Sequence, residues 1–188
     1  MILKQSSKIT NEVILFLKKG GVVVCSTDTV YGFLADASNK KAVEKIYKIK
    51  KRPKSKPLPI FVKDIKMAKE LAFINEKQAK VLQKFWPGKY TFVLNRKLDT
   101  KLYGVSKNTI AVRIPKYNFL NNLLKKINQP LSQTSVNFSG KVSLSSISDI
   151  IKQFNKQNIL IVNAGDIKKG KPSKIIDLTK NKIINVRK

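Results

Sequence analysis

The chain contains no histidine, and that absence removes more chemistry than any motif adds. Ser-His-Asp triads, Cys-His pairs and histidine-based metal sites are all excluded. There is one cysteine, Cys25, so no internal disulfide can form and thiolate zinc sites are excluded as well. Cys25 ends the apolar run "VVVC" (22–25), which reads as a buried thiol in a reducing compartment. Without a histidine to activate it, this thiol is a poor nucleophile. Acidic residues number only 11 and are scattered, so a site built from paired carboxylates is poorly supplied. No apolar run approaches the roughly 20 residues that a bilayer span needs. A signal-peptide apolar region with a small-residue cleavage site is also missing. A cytoplasmic protein with no membrane partner is expected. Neither a Walker A loop nor a GxGxxG fingerprint occurs.

What is abundant is positive charge. Lys and Arg number 39, for a net charge of +28. Such a balance attracts polyanions: nucleotides, RNA or an anionic membrane surface. The joint richness in Lys, Ile and Asn is also what biased genome composition produces, so part of the charge is solvated surface. Hydrophobic content is 42% in 188 residues, which suits one compact domain over 1–188.

Periodicity places the elements. Thr10 is a candidate cap for a helix with Val13, Ile14 and Leu17 on one face, ended by Gly20 and Gly21. "VVVC" is a short strand. Asn39 starts a helix that must stop before Pro53. "LPIFV" (58–62) reads as a strand, and Asp64 caps the short helix after it. A further helix begins at Asn75 and stops near Trp86-Pro87-Gly88. "YTFVL" (90–94), "TIAVRIP" (109–115), "PLSQTSV" (130–136) and "ILIVN" (159–163) read as strands. Helices are expected around 117–127 and 145–154. The segment 174–188 reads as a β-hairpin turning at Lys180-Asn181. The irregular mixture points to an α/β fold with a mixed, twisted open sheet and flanking helices.

Four polar clusters interrupt this pattern. "STDTVYG" (26–32) opens directly off the first strand, as either a turn or the rim of a pocket for a small polar ligand. In "KIKKRPKSKPL" (48–58), Lys50 and Arg52 flank Lys51 at a helix end. They form either a phosphate clamp or a solvated helix terminus. Thr109 and Arg113 lie four apart on a strand and so share a face, with Ala111 between them. A mid-strand arginine on a small-residue face suits an anionic partner; the alternative is a snorkelling surface arginine. Ser135 and Asn137 alternate in "SQTSVNFSG" (132–140), which suits either a phosphate grip or a turn.

Taken in order, "STDTVYGF", "KIKKRPKSKPL", "WPGKYTFVL", "TIAVRIP", "SVNFSG" and "SKIIDLT" resemble the YrdC-type domain of threonylcarbamoyl-AMP synthases, from about residue 10 to the C-terminus. The resemblance is to the short, single-domain form. It implies a large basic concave cavity on the α/β sheet and a reaction. L-threonine, bicarbonate and ATP give threonylcarbamoyl-AMP, diphosphate and water, as nucleotidyltransferase chemistry. The product serves N6-threonylcarbamoyl modification of adenosine 37 in tRNA. Carried over position by position, Lys50, Arg52, Ser135 and Asn137 match the family's KxR…SxN set, assigned to catalysis. Thr29, Arg113, Ser135 and Ser173 match threonine-binding positions. Lys50, Arg52, Lys56, Thr109, Asn137, Ser145 and Arg187 match ATP-binding positions. The resemblance implies no metal held by side chains; Mg²⁺ comes with the ATP phosphates. It also implies delivery of the product to a tRNA-modifying transfer complex and weak tRNA or double-stranded RNA binding.

Three departures from the family stand out. Phe61 stands where longer relatives often have histidine, "SVN" replaces "SAN", and "SLS" (143–145) replaces "SPT". No side-chain nucleophile is required, because the threonine-derived carbamate supplies one. The 51–57 segment is a candidate mobile lid. Two other readings stay open. One is a non-enzymatic RNA-binding protein using the same basic cavity. The other is a carbamoyl-transfer activity like that of the YrdC-like domain of hydrogenase maturation proteins.

Overall fold

A computed structural model describes residues 1–180 and the backbone of 184–187. The elements follow the chain as β1 (Ile2–Lys4), α1 (Thr10–Lys18), β2 (Val22–Cys25), β3 (Gly32–Asp36), α2 (Lys40–Lys50), β4 (Ile60–Phe61), α3 (Ile65–Leu71) and α4 (Glu76–Phe85). They continue as β5 (Tyr90–Asn95), β6 (Thr109–Arg113), α5 (Asn118–Ile127), β7 (Leu131–Ser135), α6 (Ile147–Phe154), β8 (Ile159–Asn163), β9 (Lys174–Asp177) and β10 (Ile184–Arg187). All ten strands belong to one sheet, in the order β1-β8-β2-β3-β7-β4-β6-β5-β9-β10. Parallel pairs (β1 with β8, β2 with β8, β4 with β6, β5 with β9) mix with antiparallel ones. The α/β mixed open sheet with flanking helices is the architecture the sequence implies.

Both faces of the central strands are covered, which is why β2 and β8 carry unbroken apolar runs. Val22, Val24, Phe33, Ile159 and Ile161 pack on one face with α2 and α6. Val23, Cys25, Leu34, Leu160 and Val162 pack on the other with α1 and α5. A third core fills the space between α3, α4 and the strands β4 to β6, around Ile60, Phe92 and Val112. Residues one position along those strands (Phe61, Ala111, Arg113, Val93) point the other way. No helix of that third core covers them.

Some expectations need correction. Thr10 does not cap α1; it lies inside the helix, and its hydroxyl donates back to the Ser7 carbonyl at 2.8 Å. The 58–62 strand shrinks to Ile60–Phe61, because Leu58 N–H turns to the Gly104 carbonyl and Pro59 has no N–H to give. Strands β1 and β3 were not anticipated. The C-terminal hairpin forms between β9 and β10, while its turn at Asn181 lies outside the described residues. No helix among the described residues is long and apolar enough to cross a membrane.

Candidate active site

The face of β7, β6, β5 and β9 that points away from the third core floors a cleft of about 290 Å³, with Pro59 at its edge, while Phe61 of β4 is buried against α5. Arg113 and Ala111 rise from β6, Val93 from β5 and Gln133 and Ser135 from β7, with Ser173 just ahead of β9. Thr29 and Arg52 close the sides. Residues as remote in sequence as Thr29 and Ser173 therefore meet in one hollow. Of the sequence-derived candidates, Thr29, Arg52, Arg113, Ser135 and Ser173 line the cleft together. The cavity was expected to be large and basic; its charged lining among the described residues is two arginines.

Arg113 is 1% exposed and held from several sides. Its Nε donates to the Gly88 carbonyl at 2.9 Å, Nη1 to Thr29 Oγ1 at 3.4 Å and Nη2 to Asp28 Oδ1 at 2.5 Å. Its guanidinium lies 5.6 Å from the centre of the buried Phe61 ring. Phe61 is thus an aromatic floor beneath the cation. Asp28 was not among the sequence-derived site residues. Its Oδ2 also accepts the Lys116 N–H at 3.2 Å, so one carboxylate bridges the loop after β6 and the guanidinium.

The "STDT" stretch divides its labour. Ser26 Oγ bonds the Tyr117 hydroxyl at 2.7 Å and Gln5 Oε1 at 3.1 Å. Thr27 Oγ1 accepts the N–H groups of Thr29 and Val30 and donates to the Val30 carbonyl, which builds a tight turn. That turn presents Thr29 to the cleft. The stretch is therefore a turn and a rim at once. Behind it, Gly170 crosses so closely that a Cβ there would lie 2.2 Å from the Thr29 carbonyl oxygen. Only glycine fits that crossing, and it sets Pro172 and Ser173 at the cleft. Ser173 Oγ also shares a 2.9 Å hydrogen bond with Thr91.

Lys50 and Arg52 separate. α2 ends at Lys50, and Lys51 follows in the left-handed conformation (φ 51°), which turns the chain sharply. Arg52 faces the cleft and donates from Nε to the Lys56 carbonyl (3.0 Å) and from Nη2 to the Pro57 carbonyl (2.9 Å), clipping 52–57 into a loop. Burial lowers its pKa, with the Tyr47 phenol opposing. Lys50 instead turns into the wall, 2% exposed, and donates to the Ser135 carbonyl (2.5 Å), the Asn137 carbonyl (2.9 Å) and Asn137 Oδ1 (2.7 Å). Burial, and then the Arg52 charge, draw its pKa down to about 7. Ser135 Oγ donates to the same Asn137 oxygen at 2.8 Å, so Lys50, Ser135 and Asn137 form one network.

Among the described candidates, Lys56, Thr109 and Ser145 are not part of this lining. Lys56 is exposed. Thr109 shares the Arg113 face by register but starts β6, opposite Asn95. Ser145 precedes α6, where its carbonyl accepts the Ile167 N–H. Arg187 lies in β10, and its side chain is outside the described set. Cys25 is buried with its pKa raised to about 12 by desolvation, so it carries no thiolate chemistry.

Comparison with known proteins identifies relatives in sequence and in fold. A family model described as telomere recombination (Sua5/YciO/YrdC) matches residues 15–188. A Methanocaldococcus jannaschii protein is 39% identical over 180 residues, covering 94% of this chain and 85% of its own. A Pyrococcus abyssi protein named threonylcarbamoyl-AMP synthase is 32% identical over 166 residues, 87% of this chain but 49% of the longer relative. Among solved structures, P. abyssi Sua5 complexed with L-threonine superposes at TM-score 0.90 with 28% identity, covering 100% of this chain and 56% of that one. Escherichia coli YciO superposes at 0.88 with 26% identity, covering 100% and 92%. The chain thus spans little more than half of Sua5, and nearly all of YciO. This chain belongs to the Sua5/YciO/YrdC family.

Proposed function

We propose that the protein is a threonylcarbamoyl-AMP synthase, an enzyme of the nucleotidyltransferase type. The observation that carries this reading is the convergence of Arg113, Thr29, Ser173, Ser135 and Arg52 on one cleft. It is supported by relatives named for that activity and by a structural neighbour that holds L-threonine.

Arg113, fixed by Asp28 and the Gly88 carbonyl, takes the threonine carboxylate. The hydroxyls of Thr29 and Ser173 orient the amino acid. The threonine amine adds to CO₂ derived from bicarbonate, losing a proton and forming a carbamate. A carbamate oxygen then attacks the α-phosphorus of ATP, the bond to the β-phosphate oxygen breaks, and diphosphate leaves. Arg52 meets the charge that develops on the phosphates. The same guanidinium clips 52–57, so phosphate binding is coupled to the position of that loop, as a lid requires. Lys50 acts from behind, by holding Ser135 and Asn137 in place. Mg²⁺ would enter with ATP, held through the phosphates, and would help neutralise their charge. Positioning of this kind is worth roughly 7–11 kcal/mol of barrier.

The test is diphosphate release from ATP in the presence of bicarbonate. Release that depends on L-threonine is the expected result, and Arg52→Ala lowers it by about a hundredfold or more with the circular dichroism spectrum unchanged. Near-normal rates in that variant refute the phosphate clamp. The net charge of +28 favours a second reading, RNA binding without turnover. RNA capture with no threonine-dependent diphosphate would establish it.

A further inference from the structure

Further clefts among the described residues lie outside the candidate active site. Two of them, of about 570 and 610 Å³, share Phe73 and Asn95 as a common wall. Phe73 is 60% exposed, the one aromatic side chain exposed among the described residues. It belongs to none of the three cores. The backbone beneath it is stitched down. Phe73 N–H donates to the Asn95 carbonyl at 2.9 Å, Lys97 N–H donates to the Leu71 carbonyl at 3.0 Å, and Ala72 pairs with Arg96 between them. The ring is therefore presented outward from a rigid edge.

Its surroundings are cationic. Lys97 Nζ stands 5.8 Å from the ring centre, and Lys77 and Lys180 line the cleft on the other side. Of the described lining residues only Asp99 is acidic. Asn95 and Asn108 add amides able both to donate and to accept. A flat apolar ring, cations spaced around it and amides at its edge are what an unpaired base with its phosphates requires.

We propose that this face binds single-stranded nucleic acid, with a base stacked on Phe73 and the flanking phosphates held by Lys77, Lys97 and Lys180. Duplex ends offer fewer free base faces, so the site favours single strands. The proposal is independent of the activity proposed above, because Phe73 borders no part of that cleft.

The test uses the intact protein and a fluorescein-labelled 12-mer of oligo(U), by anisotropy at 50 mM NaCl. Phe73→Ala removes no charge and leaves the three cores intact. It is expected to weaken binding at least fivefold without changing the salt dependence, while Phe73→Trp retains it. The double variant Lys77→Ala/Lys97→Ala lowers the salt slope by about 1 to 1.5, at roughly 0.7 for each phosphate no longer neutralised. Diphosphate release by Phe73→Ala stays at the wild-type rate. Equal affinity of wild type and Phe73→Ala overturns the proposal, because it leaves only diffuse attraction to a basic chain. Absence of binding by the wild type, or tighter binding of a 12-base-pair duplex than of the single strand, overturns it as well.

Discussion

At the residue scale, the decisive contact is between two groups far apart in sequence. The spacing of Thr109, Ala111 and Arg113 was enough to place Arg113 on a small-residue face, and it does face the cleft. Its partner Asp28 was illegible, because only the packing of the β2–β3 turn against β6 brings the two together. The Arg113 and Asp28 side chains meet out of water, so removing the carboxylate weakens the compensation of a buried cation. Asp28→Asn is expected to cost about 3 kcal/mol in urea unfolding. Added L-threonine should restore more stability to this variant than to the wild type, since its carboxylate supplies the missing anion. Equal increments in both proteins would place the carboxylate elsewhere. Lys50 shows a different limit of legibility, since its partners at Ser135 and Asn137 lie far along the chain. Its position in the KxR pattern marks it as a phosphate-binding candidate, and the structure adds that it is buried and bonded to Ser135 and Asn137. With a native pKa of about 7 against about 10.4 for a free lysine, the unfolded chain holds a proton that the native state gives up between those values. Stability therefore rises with pH across that window, by up to about 1.4 kcal/mol per unit, and the cost is fully present below pH 7. Urea midpoints at pH 7, 8 and 9 should climb in the wild type relative to Lys50→Met. Parallel trends would mean that three oxygens keep the ammonium charged.

At the element scale, helices were more legible than strands because their signals are local. The caps at Asn39, Asp64 and Asn75 all form as their residue types predict. Strand β3, "GFLAD", lacks a β-branched residue, and only β2 and β7 pairing on either side extends it. β1 has three residues and exists through its parallel register with β8, some 159 positions away at Ile2 and Ile161. Such pairing leaves no mark on a local window. The caps also separate stability from chemistry. Asn39 Oδ1 accepts the Ala42 N–H at 3.1 Å at one end of α2, and the Lys50–Arg52 segment emerges from the other. Asn39→Ala should cost about 1 kcal/mol and lower Tm by about 2–4 °C. Turnover at 25 °C should be unchanged, which thermal unfolding and diphosphate release measure on the same preparation. A proportional loss of rate would mean that the cap, through α2, tunes the cleft.

At the scale of the whole molecule, a charge of +28 acts on folding and on capture in opposite directions. Three ion pairs occur among the described residues, and two of them have solvent-exposed partners at 3.3 and 3.9 Å, so most of the positive charge is uncompensated self-repulsion. Screening reaches about 30 Å at 0.01 M salt and about 10 Å at 0.1 M. Raising NaCl from 10 to 200 mM should therefore increase Tm, because repulsion in the compact state falls more than a single buried pair can lose. The same screening weakens the long-range pull on a polyanion, so KM for ATP should rise over the same range. L-threonine is a zwitterion with no net charge, and its proposed carboxylate contact at Arg113 is buried. Its KM should stay within about twofold, since buried pairs are screened far less than exposed ones. If both constants rise together, the amino acid is held by the diffuse field and not by Arg113. If neither rises, the lysine excess plays no part in gathering substrate, and the cleft's own arginines account for ATP capture.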